Sequence, residues 1–81
     1  MKVSVGIIDL NAGNVGAIRN RLSELGVDYQ LISQPTTVEF SHIILPGVGN
    51  FDAFMDKMQN KGLYEYIVEQ SLLDTKIMGI C

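Results

Sequence analysis

Residues 42–52 read HIILPGVGNFD, and this stretch decides the fold. Ile43, Ile44 and Leu45 form a continuous apolar run of the kind that is buried on both faces of a parallel sheet. Pro46 follows, with no N–H to give and a fixed φ, and Gly47 and Gly49 permit positive φ, so the turn is able to aim peptide N–H groups outward. Donors placed in that way can stabilise a developing oxyanion. The same glycines also suit a strand-to-helix turn for purely steric reasons, and the segment by itself leaves both readings open. Beyond it Phe51, Phe54, Met55 and Met58 fall on one helical stripe, with Asp52 and Asp56 on the solvent side.

Working outward, Val3, Val5, Ile7 and Ile8 make a first strand ending at Asp9, and "NAGN" (11–14) has the composition of a turn. Val15, Ile18, Leu22 and Leu25 then recur at helical spacing, with Arg19, Arg21 and Glu24 on other faces and Gly26 as a left-handed stop. "DYQLIS" (28–33) reads as a second strand, closed by Gln34-Pro35-Thr36-Thr37. After the Phe51 stripe, Gly62 interrupts the pattern. Leu63, Ile67 and Leu72 or Leu73 then point inward, giving two short helices or one broken helix. "KIMGIC" (76–81) is a fourth strand. With right-handed crossovers this β-α-β-β-α-β order predicts an α/β fold: a doubly wound, flavodoxin-like parallel sheet in the order 2-1-3-4, with helices on both faces. Its topological switch point lies between strands one and three, which brings "DLNAGN" (9–14), "PGVGNF" (46–51) and Cys81 to one rim.

Composition excludes several functions. The 81 residues carry a formal net charge of −3 and no basic stripe, so nucleic acid is not an expected partner. Apolar runs fall far short of the roughly 20 residues of a membrane span. The N-terminus lacks a signal-peptide pattern, and cytoplasm is the expected location. One cysteine forms neither an intrachain disulfide nor a multi-thiolate metal site; no metal and no cofactor is expected. "NAGNVG" has Asn11 where a dinucleotide fingerprint requires its first glycine, and a Walker loop is absent.

Cys81 reads either as a buried small hydrophobe or as a nucleophile, since Gly79 and Cys81 occupy the first and third places of a G-x-nucleophile-x-G elbow. His42 is not its base, because the strand from His42 to Pro46 spans roughly 13 Å at about 3.3 Å per residue. Asn11 and Asn14 either cap the first helix or line the mouth of the crevice.

"ILPGVGNFD" upstream of "IMGIC", with "GIID…GN" at the N-terminus, resembles the first part of a class I glutamine amidotransferase. It is most similar to the glutaminase subunit of imidazole glycerol phosphate synthase, over essentially all of residues 1–81, the N-terminal part of a single domain. The resemblance implies that Cys81 attacks the carboxamide of glutamine, the substrate, giving a thioester and ammonia. It also implies that Gly47, Val48 and Gly49 form the oxyanion strand, and that Asn11 and Asn14 face a (β/α)8-barrel cyclase or synthase partner receiving the ammonia. Leu10 and Asn11 depart from the family's usual Tyr and Gly. "GNVGAIRN" and "GNFDAFM" also resemble paralogues that supply ammonia for amidosugars of surface polysaccharides. The family's histidine and glutamate find no counterpart in the 81 residues, so the chain alone is expected to be inert. Two other readings compete with the enzyme: a flavodoxin-like module binding a small phosphorylated ligand at "NAGN" and "PGVGN", and a non-catalytic folding unit that must dimerise or dock through an open edge at strand four.

Overall fold

The computed structural model describes residues 3–10 and 15–79. They form β1 (Val5–Ile8), α1 (Val15–Glu24), β2 (Tyr29–Ile32), β3 (His42–Leu45), α2 (Phe51–Asn60), α3 (Leu63–Leu72) and β4 (Lys76–Gly79). The strands make one parallel sheet in the order β2-β1-β3-β4, the order that the strand and helix signals predict. Val5 lies against Tyr29 on one side and His42 on the other, and Leu45 lies against Gly79.

Side chains alternate across the sheet and build two apolar layers. Val5, Ile7 and Ile44 bury against Val15 of α1, with Ile18, Leu22, Val27 and Tyr29 packed around them. On the other face Ile8, Ile32, Phe40 and Ile43 bury against Phe54 and Met58 of α2 and Leu63 and Tyr66 of α3. The helices thus cover opposite faces, as a doubly wound sheet requires. Ile7, Ile8, Ile43 and Leu63 are fully buried, and each contributes roughly 1.5–3 kcal/mol relative to an exposed side chain. Gly6 makes the second layer possible: a Cβ there would stand 2.5 Å from Ile32 Cδ1 and 3.2 Å from Phe40 Cδ1. A strand interior tolerates glycine where such close approach is needed.

The helix ends follow from local chemistry. Gly26 has φ of 71°, its N–H donates to the Ser23 carbonyl, and the Val27 N–H donates to the Leu22 carbonyl. This is a Schellman ending, with Leu22 and Val27 in the same apolar layer. Gly62, also at φ 71°, separates α2 from α3 and so decides for two helices over one broken helix. At the end of α3 the left-handed position falls on Asp74, φ 69°, and the Thr75 N–H donates back to the Gln70 carbonyl. The amino end of the sheet is stitched by side chains. Ser4 N–H donates to Ser41 Oγ at 2.9 Å, Ser41 N–H to Ser4 Oγ at 3.0 Å, and Thr75 Oγ1 to the Phe40 carbonyl at 3.1 Å.

Several residues expected on the apolar stripes are instead exposed. Leu25 is 66% exposed because α1 ends at Glu24 and the turn at Gly26 delivers Val27 to the layer instead. Phe51 is 68% exposed: it stands on the inward stripe of α2 but at its first residue, where the neighbouring loop residues Gly49 and Asn50 are also exposed. Leu72 and Leu73 are 79% and 72% exposed at the end of α3, whose buried residues, Leu63 and Tyr66, lie in its first two turns. Val3 lies outside β1 and is exposed. Among the described residues β4 pairs only with β3, and Met78 is half-exposed.

Candidate active site

The rim at the carboxyl ends of the strands is assembled from three connections. After β1 the Asp9 N–H donates to the Ile32 carbonyl at 2.9 Å, which prolongs the β1–β2 pairing, and Leu10 is buried in the core. After β3 Pro46 is buried, Gly47 and Val48 are half-buried, and Gly49 and Asn50 are exposed. Val48 packs against the layer under α2 and α3. The chain then enters α2 through Asn50, whose Oδ1 accepts from the Ala53 N–H at 2.9 Å. Because Leu45 pairs with Gly79, the 46–50 loop leaves the sheet beside the end of β4.

The glycines of this loop do not use the positive φ that they permit. The positive-φ glycines among the described residues are Gly26 and Gly62; neither Gly47 nor Gly49 is one of them. Val48 packs against the core and Asn50 is extended at φ −128° before α2 begins. A Cβ on Gly49 would meet nothing within 4 Å.

Of the residues singled out from sequence, Gly47, Val48 and Gly49 stand together on this rim. Asn11, Asn14 and Cys81 lie outside the described residues. His42 sits at the opposite end of the sheet, level with Val5 and Lys76, and its Nδ1 is 2.8 Å from Ser41 Oγ, in keeping with a strand-edge role. Asn50 was missed, although an Asn directly before the first residue of an apolar helical stripe is a recognisable N-cap signal.

Perturbed titrating groups lie away from the loop. Arg19 Nε donates to the Tyr29 hydroxyl at 3.1 Å, which lowers the Tyr29 pKa and raises that of Arg19. Its guanidinium carbon is 5.9 Å from the ring centroid. Such a distance, with that hydrogen bond, places the group off the hydroxyl end rather than over the ring face. Tyr66 is buried, which raises its pKa, and its hydroxyl has no hydrogen-bond partner. Among the described residues no group of three His, Cys, Asp or Glu could hold a metal ion, and no helix is long and apolar enough to cross a membrane. A cavity of about 220 Å³ is lined by Gln30, Ile32, Gln34, Pro35 and Phe40, on the β2 side of the sheet rather than at the loop.

A parallel sheet of order 2-1-3-4 with a Pro-Gly-Val-Gly loop at its switch point defines the class: a flavodoxin-like α/β unit. No family model matches the chain. Individual relatives do. The imidazole glycerol phosphate synthase subunit HisH 2 of Methanococcus maripaludis is 34% identical over 79 residues, covering 95% of this chain and 39% of that protein. The HisH subunit of Wolinella succinogenes is 33% identical over 78 residues, covering 95% and 38%. That of Streptococcus mutans is 38% identical over 76 residues, covering 93% and 38%. The chain therefore spans less than two fifths of the length of the curated relatives it matches. Over the stretch they share, the chain is similar to these HisH subunits.

Proposed function

We propose that the chain is the N-terminal part of a glutamine amidotransferase subunit, the glutaminase of an imidazole glycerol phosphate synthase of histidine biosynthesis. The observation that carries the reading is the coincidence of two independent facts. Sequence similarity to HisH subunits extends over 95% of the chain. The Pro46–Gly49 loop also lies at the switch-point rim, beside the strand that leads to Cys81.

In this reading Cys81, as thiolate, attacks the side-chain carboxamide carbon of glutamine, and the carbonyl becomes an oxyanion. A backbone N–H at Val48 or Gly49 turns to meet that oxygen; preorganised donors of this kind are typically worth 10²–10³ in rate. The tetrahedral intermediate expels ammonia and leaves a γ-glutamyl thioester, which water hydrolyses to glutamate and free thiol. The proton transfers need a base that the 81 residues do not supply, so this chain alone is inert. Ammonia passes to a (β/α)8-barrel synthase partner, with Asn11 and Asn14 on the facing surface, and the complex works in the cytoplasm.

The test is ammonia release from glutamine by the full-length gene product with and without Cys81→Ser. Release that depends on the thiol supports the reading; no release, or release indifferent to the substitution, overturns it. A second reading concerns only the acceptor. Leu10 and Asn11 replace the residues usual in the family, and the M. maripaludis relative is a HisH 2. A paralogue delivering ammonia to sugar amidation would release ammonia equally and differ in the partner it serves.

A further inference from the structure

The loop that the proposed mechanism depends on is tethered at both ends, by different means. At its start Leu45 is locked in register with Gly79, and Pro46 is buried with no N–H to exchange partners. At its end Asn50 grips the first turn of α2: its side-chain oxygen accepts from Ala53 N–H at 2.9 Å and its carbonyl from Phe54 N–H at 3.1 Å. Between the tethers Val48 is held by apolar packing, and Gly49 is exposed with open space about its Cβ position and ordinary φ. Any reorientation of the loop's peptides has to be absorbed between these tethers, about Val48 and Gly49.

We propose that Asn50 is a positioning residue for glutamine hydrolysis, a role that rests on the amidotransferase reading of this site. By capping α2 it fixes the peptide after Gly49, so that turning is confined to the peptides on either side of Val48 and the N–H presented to the oxyanion has one direction. Oxyanion donors act through preorganisation, and a misplacement of about 1 Å can cost on the order of 10² in rate. An uncapped helix start lets the first turn fray, and the donor direction is then averaged over several loop conformers.

The experiment measures glutaminase kinetics of the full-length gene product in four forms: wild type, Asn50→Ala, Asn50→Gly and Asn50→Ser. Glycine at an N-cap keeps most of the helix stability but removes the tether, whereas serine restores a capping oxygen. The expected result is a roughly tenfold or greater fall in kcat for Asn50→Ala and Asn50→Gly, with KM for glutamine within about twofold, because only an interaction made in the transition state is lost. Asn50→Ser recovers kcat to within a few-fold, and Asn50→Gly unfolds close to the wild-type temperature, which separates positioning from folding. A wild-type kcat in Asn50→Gly, or failure of Asn50→Ser to recover activity, overturns the positioning role while the site reading stands. An inactive wild type overturns the site reading itself, and this role with it.

Discussion

Removing one oxygen atom from the core should make this protein more stable. Tyr66 is 5% exposed, its ring is part of the layer under α2 and α3, and its hydroxyl is buried without a partner. A buried polar group left unpaired costs about 1–3 kcal/mol of desolvation that nothing returns. Tyr66→Phe keeps the ring contacts and deletes that cost, leaving only a hydroxyl-sized gap to set against it. The expected net gain is about 1 kcal/mol, or roughly 4–8 °C in Tm for a domain of this size. The pH dependence carries a second signature. Burial disfavours the phenolate and raises the Tyr66 pKa above its ordinary 10.0, so the wild type is fully stable below pH 10 and loses stability as pH rises through the folded-state pKa. Phenylalanine has no such loss, and the gap between variant and wild type should widen above pH 10. Thermal and urea unfolding followed by circular dichroism at pH 7 and again above pH 10 measures both. A lower or unchanged Tm for Tyr66→Phe at pH 7 would refute the reasoning, because it would mean that the hydroxyl is satisfied, by water or by chain, in the folded protein.

Three further substitutions probe other parts of the molecule. Gly6→Ala puts a methyl 2.5 Å from Ile32 Cδ1; overpacking of this kind costs about 1–3 kcal/mol and should lower the urea midpoint without changing the slope. Asp74→Gly relieves a left-handed residue at φ 69° and should stabilise by roughly 0.5 kcal/mol, the gain reduced by the extra freedom of glycine in the unfolded chain. Gly49→Ala meets no atom and no positive φ, so stability should hold or rise by about 0.4–1 kcal/mol. In the full-length protein the same change should slow ammonia release by about 5- to 30-fold, since turning the loop into left-handed geometry costs alanine about 1–2 kcal/mol. Unimpaired release in Gly49→Ala would exclude a left-handed Gly49 from the catalytic cycle.

The fold was legible because its signals are redundant. Ile43 to Leu45 suited a strand covered on both faces, the 15–22 stripe an amphipathic helix, and right-handed crossovers with strands two and three on opposite sides of strand one give the order 2-1-3-4. Burial was read less well wherever a periodic stripe ran past the end of its element. Leu25, Phe51 and Leu72 or Leu73 were placed inward by spacing, yet all of these residues sit at or just beyond helix ends and are exposed. Tyr66 was overlooked for the converse reason: two tyrosines flank Glu65, and composition does not say which turns inward. At the 46–50 loop, the proline and glycines signalled a strand-to-helix connection but said nothing of the Val48 packing or the Asn50 cap. Both are properties of the assembled sheet and helix rather than of the pentapeptide.

The placement of β1 has a consequence for how the chain is made. It is translated before its neighbours on either side, β2 and β3, and lies between them; Ser4 and Ser41, which stitch β1 to β3, are 37 residues apart. At a synthesis rate of about 5–20 residues per second, β1 waits roughly two to seven seconds for β3 to follow it out of the peptidyl-transferase centre. The ribosome tunnel, or whatever holds the emerging segment, therefore has to shelter Val5 to Ile8 with both hydrogen-bonding edges bare. Codon usage that slows translation before β3 would prolong the interval in which this strand can pair with the wrong chain.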